Sequence, residues 1–256
     1  NGLTKFASED GEIESIGIDT WGATYGFLDK KGRLAEPIFH YRDMRTENAL
    51  EEMYKRVSKR EIFELTGCQC ARSYTLPQLF ASTHQDDPIL QIADKLLFLP
   101  DLLSYFLCGV KSTEMTIAGT SALLDSTLEN WCYELLNKFN IPIDLFTHIV
   151  DAGTVKGPIT KKISDETGIK NANVIAVASH DSASAVAAIP GFGEDKVYIS
   201  MGTNINMGIE SDKTGLSDLY YQGGFKNTGG LMRKKLIYRD FAAFWIINEL
   251  LLDWKR

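Results

Sequence analysis

The 256-residue sequence is poor in the residues that build sites unaided: it holds 4 Cys, 4 His and 7 Pro. Cysteines this sparse exclude a disulfide scaffold. Cys68-Gln69-Cys70 is a CxC pair, no CxxC or HxxxH completes a metal set, and the thiols read as buried or incidental. Positive charge is in deficit, 27 Lys+Arg against 34 Asp+Glu for a net charge of −7, which argues against a nucleic-acid grip. No apolar run reaches the roughly 20 residues of a membrane span. The best stretch, Leu96 to Val110, is broken by Pro100-Asp101. The first residues carry no basic, apolar, small-residue leader pattern, so the reading is a cytoplasmic chain free of membrane and nucleic acid. A Walker loop, G-x-x-x-x-G-K-[ST], is also missing.

What is present is ordinary globular material, 44% hydrophobic and 24% charged, enough for one large domain or two modest ones. Strands and helices are mixed along the chain, so the fold class is α/β. Ile13 to Asp19 alternates as a strand, and Ala23 to Asp29 as a second, with Lys30-Lys31-Gly32 turning a hairpin. Helices are predicted over Thr46 to Ser58 with Thr46 as N-cap, Arg60 to Thr66, Leu76 to His84, Trp131 to Phe139 and Thr160 to Thr167. Another starts near Pro100 and stops at Gly109. Asn173 to Ala178 is an apolar strand leading into a small-residue helix. Pro190-Gly191-Phe192-Gly193 is the strongest punctuation and sets a domain boundary, giving 1–190 and 191–256. Beyond it, Lys196 to Ser200 and Asn206 to Glu210 form a hairpin, and Asp240 to Trp254 reads as a final amphipathic helix.

The leading chemical candidate is Ser179-His180-Asp181-Ser182, a polar cluster between a buried strand and a helix. That is where open α/β sheets bind ligands, and Asp181 there could accept a proton from a hydroxyl. Capping by Ser179 or Asp181 explains the same residues about equally well. Ser200-Met201-Gly202-Thr203 is a turn whose glycine admits a phosphate and whose threonine can donate to it, although most such turns are plain hairpin ends. Gly17-Ile18-Asp19-Thr20-Trp21-Gly22 could wall a sugar with an aromatic face, or simply bury Trp21. Tyr41-Arg42-Asp43-Met44-Arg45-Thr46 reads first as an ion pair and cap.

The order of these segments carries more than any one of them. With Pro100-Asp101-Leu102-Leu103-Ser104-Tyr105 and Val177 to Val186 between them, they resemble the FGGY carbohydrate kinases from about Ile13 to Gly208, and more loosely to the last helix. The resemblance implies a ribonuclease-H-like, actin/hexokinase-type fold: most of a sugar-binding first domain over 1–190 and the start of an ATP-binding second over 191–256. It implies transfer from ATP, with Mg2+, to the primary 1-hydroxyl of a ketose such as L-rhamnulose, L-fuculose or xylulose. By matching position, Asp181 is the general base. Trp21, Gly22, His180, Ser182 and Asp240 line the sugar, and Gly202, Thr203 and Asn248 approach the nucleotide. No residue is assigned as a resident metal ligand. Asp240 stands where the family's asparagine is expected, and Asn248 where a glutamine is. The family's opening Asp-x-Gly phosphate turn and its C-terminal adenosine segment have no counterpart. An internal piece is therefore expected, with apolar surface exposed at both ends and little turnover on its own. The rivals are a non-catalytic sugar-binding fragment and an actin-like ATPase or scaffold.

Overall fold

The computed structural model describes residues 2–8, 12–191, 193, 195–201, 204–242 and 244–255, and within them every side chain except those of Glu36, Asn204 and 242–248. The strands are β1 (Ser15–Ile16), β2 (Tyr25–Asp29), β3 (Leu34–Phe39), β4 (Ala93–Phe98), β5 (Thr113–Glu114) and β6 (Ile149–Val150). They continue with β7 (Val155–Pro158), β8 (Asn173–Ile175), β9 (Val197–Met201), β10 (Asn204–Ser211), β11 (Lys226–Gly229) and β12 (Lys235–Ala242). The helices are α1 (Gly2–Ser8), α2 (Ala49–Arg56), α3 (Lys59–Thr66), α4 (Thr75–His84), α5 (Ile89–Ile92) and α6 (Leu99–Cys108). After them come α7 (Met115–Ala118), α8 (Tyr133–Lys138), α9 (Lys161–Thr167), α10 (Asp181–Ala187), α11 (Asp218–Gln222) and α12 (Phe244–Trp254).

Local signals set several helix ends. Ser58 caps α3 by accepting from the Glu61 N–H, and Gly67 closes it in the left-handed region. Pro100 sits in the first turn of α6, which Gly109 ends in the same way, and Thr160 caps α9. Three readings are corrected. Thr46 is buried, and its hydroxyl donates to the Asp43 carbonyl; Asp43 is the cap, of a 3-10 turn over Met44–Thr46. The strand expected from Ile13 to Asp19 shrinks to β1, because only Ser15 and Ile16 find ladder partners on β8. The helix expected from Asp240 begins at Phe244, because Asp240, Phe241 and Ala242 pair with Asn206, Ile205 and Asn204 of β10, and that pairing overrides a helical pattern.

The strands form sheets ordered β1-β8-β7, β3-β2-β4, β5-β6 and β11-β12-β10-β9, the last wholly antiparallel. The main core gathers Tyr25, Phe27, Phe80, Phe98, Trp131 and Phe139 between β2–β4 and the helices α2, α4 and α8. A smaller core joins α10 to the last sheet through Ala178, Ala183, Val186, Tyr198 and Leu236. The small side chains of Ala178, Ala183 and Val186 let α10 lie close on the sheet, which sets the spacing of the cleft described next. No described helix is long and apolar enough to cross a membrane.

Candidate active site

Between α10 and the β11-β12-β10-β9 sheet lies a cleft of about 690 Å³. Register explains its sheet side. Ser200 faces Asn206 across β9–β10, Asn206 faces Asp240 across β10–β12, and Lys226 faces Tyr238 across β11–β12. Alternate residues share one face of a sheet, so Tyr198, Ser200, Asn206, Thr228, Leu236, Tyr238 and Asp240 all border the cleft with Lys226. The opposite wall is Trp21, Gly22, His180, Asp181 and Ser182, with Tyr41, Ser73, Tyr74 and Thr120.

Asp181 is the first residue of α10, with an exposed side chain. Its Oδ1 accepts from the Ser182 amide at 2.6 Å and the Ser182 hydroxyl at 3.2 Å, and lies 3.3 Å from His180 Nε2. Oδ2 has no hydrogen-bond partner among the described residues. The capping alternative fails in detail: the N-cap position is His180, which makes no side-chain cap bond, and the Ser179 hydroxyl donates back to the Val177 carbonyl. Burial lowers the His180 pKa from its ordinary 6.5, opposed by the Asp181 and Asp240 carboxylates, so the imidazole is neutral at pH 7.

Trp21 is about half exposed, with Nε1 donating to Thr24 Oγ1 at 2.9 Å and the ring edge-on to His40. Gly22 borders the cleft, but its lack of a side chain has a structural cause: an added Cβ would stand 2.7 Å from the Thr120 methyl. Thr120 Oγ1 accepts the Ala23 N–H at 2.9 Å, fixing this loop. Across the cleft, Asp240 Oδ2 accepts from Lys226 Nζ at 2.5 Å, and Lys226 also donates to the Tyr74 hydroxyl at 3.0 Å. Burial works against the Lys226 ammonium, but the Asp240 carboxylate beside it outweighs that cost and holds the pKa above the ordinary lysine value. Burial raises the phenols of Tyr74 and Tyr238 well above 10, so both are neutral hydroxyls. Thr228 Oγ1 is buried on this wall and finds no partner among the described residues.

The structure thus brings Trp21, Gly22, His180, Asp181, Ser182 and Asp240 to one cleft. Gly202 and Thr203 lie outside the described residues; Asn248 lies in α12, with its side chain outside them. Arg45 makes no ion pair among the described residues: its guanidinium lies 3.6 Å from the Phe39 ring centroid and donates to the Tyr25 hydroxyl at 2.9 Å. The sequence reading missed Tyr74, Thr120, Asn206, Lys226 and Tyr238. Alternation along Leu236, Tyr238 and Asp240 was the available signal for part of this set. It also missed Glu114 and Thr116, which are fully buried behind the Ser179–Asp181 turn. Glutamate is not a favoured cap, so neither residue carried a sequence signal.

Residues 3–188 match the FGGY family of carbohydrate kinases, N-terminal domain. The chain is 35% identical over 254 residues to the rhamnulokinase of Bacteroides thetaiotaomicron, covering 99% of this chain and 52% of that protein. It is 36% identical over 235 residues to the rhamnulokinase of Enterococcus faecalis, covering 92% and 47%. It therefore spans about half the length of the curated relatives it matches. Among solved structures, Plasmodium falciparum glycerol kinase with ADP superposes with a TM-score of 0.85 at 17% identity, covering 99% of this chain and 53% of that one. Ligand-bound xylulose kinase from Lactobacillus acidophilus gives 0.81 at 17%, covering 92% and 48%. The mixed α/β fold expected from the sequence is the fold of these sugar kinases, and the chain belongs to the FGGY family of carbohydrate kinases.

Proposed function

We propose that this chain serves the ATP-dependent phosphorylation of a ketose at its primary 1-hydroxyl, with L-rhamnulose the first candidate and Asp181 the general base. One observation carries the reading. The Asp181 carboxylate has one oxygen held by Ser182 and the other unbonded among the described residues, in a cleft walled by Trp21 and His180 opposite Asn206, Lys226 and Asp240. The curated relatives bearing the name rhamnulokinase support the choice of sugar.

In this reading Asp181 orients the attacking hydroxyl and takes its proton, while charge stabilisation does most of the catalytic work. Ser182 steadies the carboxylate. Neutral His180 exchanges hydrogen bonds with the sugar, and Trp21 covers an apolar sugar face. Asp240 and Lys226 read hydroxyls as an acceptor and a donor, and the unpartnered Thr228 hydroxyl supplies a third contact. Residues 1–190 are assigned to the sugar lobe and 191–256 to the start of the nucleotide lobe. Gly202 and Thr203 would meet the phosphates and Asn248 the nucleotide. No cluster of three His, Cys, Asp or Glu exists among the described residues. The residues present fit Mg2+ held mainly by ATP phosphates with Asp181 beside it, the usual mode for this ion, which neutralises charge developing on the transferred group.

ADP release measured over a panel of ketoses tests the assignment. In a full-length version, Asp181→Asn is expected to lower kcat by about 100-fold or more while ketose KM stays within about 3-fold. Near-normal turnover in that variant removes Asp181 as base. A second reading, sugar binding without transfer, is favoured by one feature. Lys226 is the single Lys or Arg among the described cleft residues, and Asp240 already engages it. Calorimetric heat with ketose and none with ATP selects that reading.

A further inference from the structure

We propose that Glu114 is a positioning residue whose buried carboxylate, acting with the Thr116 hydroxyl, clamps the Ser179–His180 backbone and thereby aims Asp181 into the cleft. The inference rests on the kinase reading above for its catalytic consequence, but not for its geometry.

Four donors converge on Glu114 Oε2: the Thr116 amide at 2.9 Å, the Thr116 hydroxyl at 2.6 Å, the Ile117 amide at 3.2 Å and the Ser179 amide at 3.1 Å. Because the Thr116 hydroxyl gives its proton to Glu114, its oxygen is free to accept, and it takes the His180 amide at 3.2 Å. The next amide, that of Asp181, goes to the Thr20 carbonyl at 2.9 Å. Ser179, His180 and Asp181 are therefore held by Glu114, Thr116 and Thr20 in turn. These are the amides that a strand-to-helix turn otherwise leaves without partners.

Capping α7 does not account for this arrangement. A cap needs only the Thr116 and Ile117 amides, and a short Asp, Ser or Thr supplies it for about 1 kcal/mol. Burying a carboxylate costs several times that. The longer Glu arm instead reaches a segment 65 residues away. Its own backbone is pinned as well. Asp101 Oδ1 accepts the Glu114 amide at 3.2 Å, and the buried Lys156 Nζ grips the same oxygen at 2.6 Å. A carboxylate fixed at both ends is the support a base needs, because a displacement of about 1 Å at the reacting group can cost about 100-fold in rate.

The test compares Thr116→Val and Glu114→Gln with the unsubstituted sequence, reading residue-resolved amide exchange in this chain and ketose-dependent ADP release in a full-length version that contains it. Valine keeps the shape of threonine and removes the oxygen that accepts from His180. Glutamine keeps one acceptor but lacks the charge that gathers four donors. Exchange at His180 in Thr116→Val, and at Ser179 in Glu114→Gln, is expected to rise about 10-fold, with α4 amides unchanged. kcat is expected to fall about 100-fold with ketose KM within about 3-fold. Unchanged exchange at both amides overturns the clamp. So does loss of protection spread equally through α4, which marks a merely structural role, and so does local loosening that leaves kcat intact. If a full-length version containing these residues releases no ketose-dependent ADP, the kinase reading falls, and the exchange data alone decide the clamp.

Discussion

Burial holds the His180 imidazole below the ordinary histidine pKa against the opposing pull of the Asp181 and Asp240 carboxylates. A base whose folded pKa is depressed stabilises the fold fully above its unfolded value, about 6.5, and loses that contribution as pH falls through the folded value. Proton NMR of the ring is expected to show a midpoint below 6.5, lower still in Asp240→Asn, which removes one of the opposing anions. A midpoint at or above 6.5 contradicts the burial argument. The Lys226–Asp240 pair gives a second test, because its members differ in burial, with side-chain exposures of 13% and 38%. Asp240→Asn strands the more buried ammonium and is expected to cost about 1–3 kcal/mol. Lys226→Met is expected to cost less, because Asp240 reaches water. Urea denaturation of the two variants checks the order, and the reverse order refutes it. Neither pairing was legible in sequence, because Lys226 and Asp240 meet only through the β11–β12 register.

Between elements, the buried Lys156–Asp101 bridge ties β7 to α6, and the Glu114 amide ties both to β5. Asp101→Asn leaves Lys156 uncompensated and is expected to destabilise the fold by about 3–5 kcal/mol. Burial pushes the Asp101 carboxyl up to about 7 against the pull of Lys156. A carboxyl raised in the fold stabilises fully below its unfolded value, about 3.9, and loses that contribution as pH rises through the folded one. The stability advantage of the unsubstituted chain over Asp101→Asn is therefore expected to shrink from pH 5 to pH 8. An advantage that grows over that range contradicts the assignment. Helix limits written by caps and glycines, as at Ser58, Gly67, Pro100 and Gly109, were readable because their causes lie within a few residues. β12 was not, because its eight residues are a strand only by virtue of β10, which pairs all eight, and β11, which pairs the first four.

For the molecule as a whole, the last sheet has a wet apolar side. β9 is its edge strand, and Val197, Ile199 and Met201 are 62%, 58% and 60% exposed. Phe6, Leu252 and Trp254 are also more than half exposed, at 51%, 56% and 76%. An edge strand with open hydrogen-bonding groups beside such a face invites association. Sedimentation velocity at tens of micromolar is expected to show self-association, reduced by Val197→Lys with Ile199→Lys. An unchanged profile in that variant shows that β9 is not the contact.

Sequence by itself determined the α/β class, several helix limits and the family, and offered the short list around Ser179 to Ser182, because each rests on local propensity or on the order of motifs along the chain. Only the tertiary structure decided that Asp240 lies on a strand with Lys226 as its partner, and that Gly22 is small because Thr120 packs against it. It alone showed that Asp181 stands on a turn held from behind by Glu114 and Thr116. The physical reason is distance along the chain. A buried charge declares its purpose only through its partners, and the partner of Glu114 is 65 residues away.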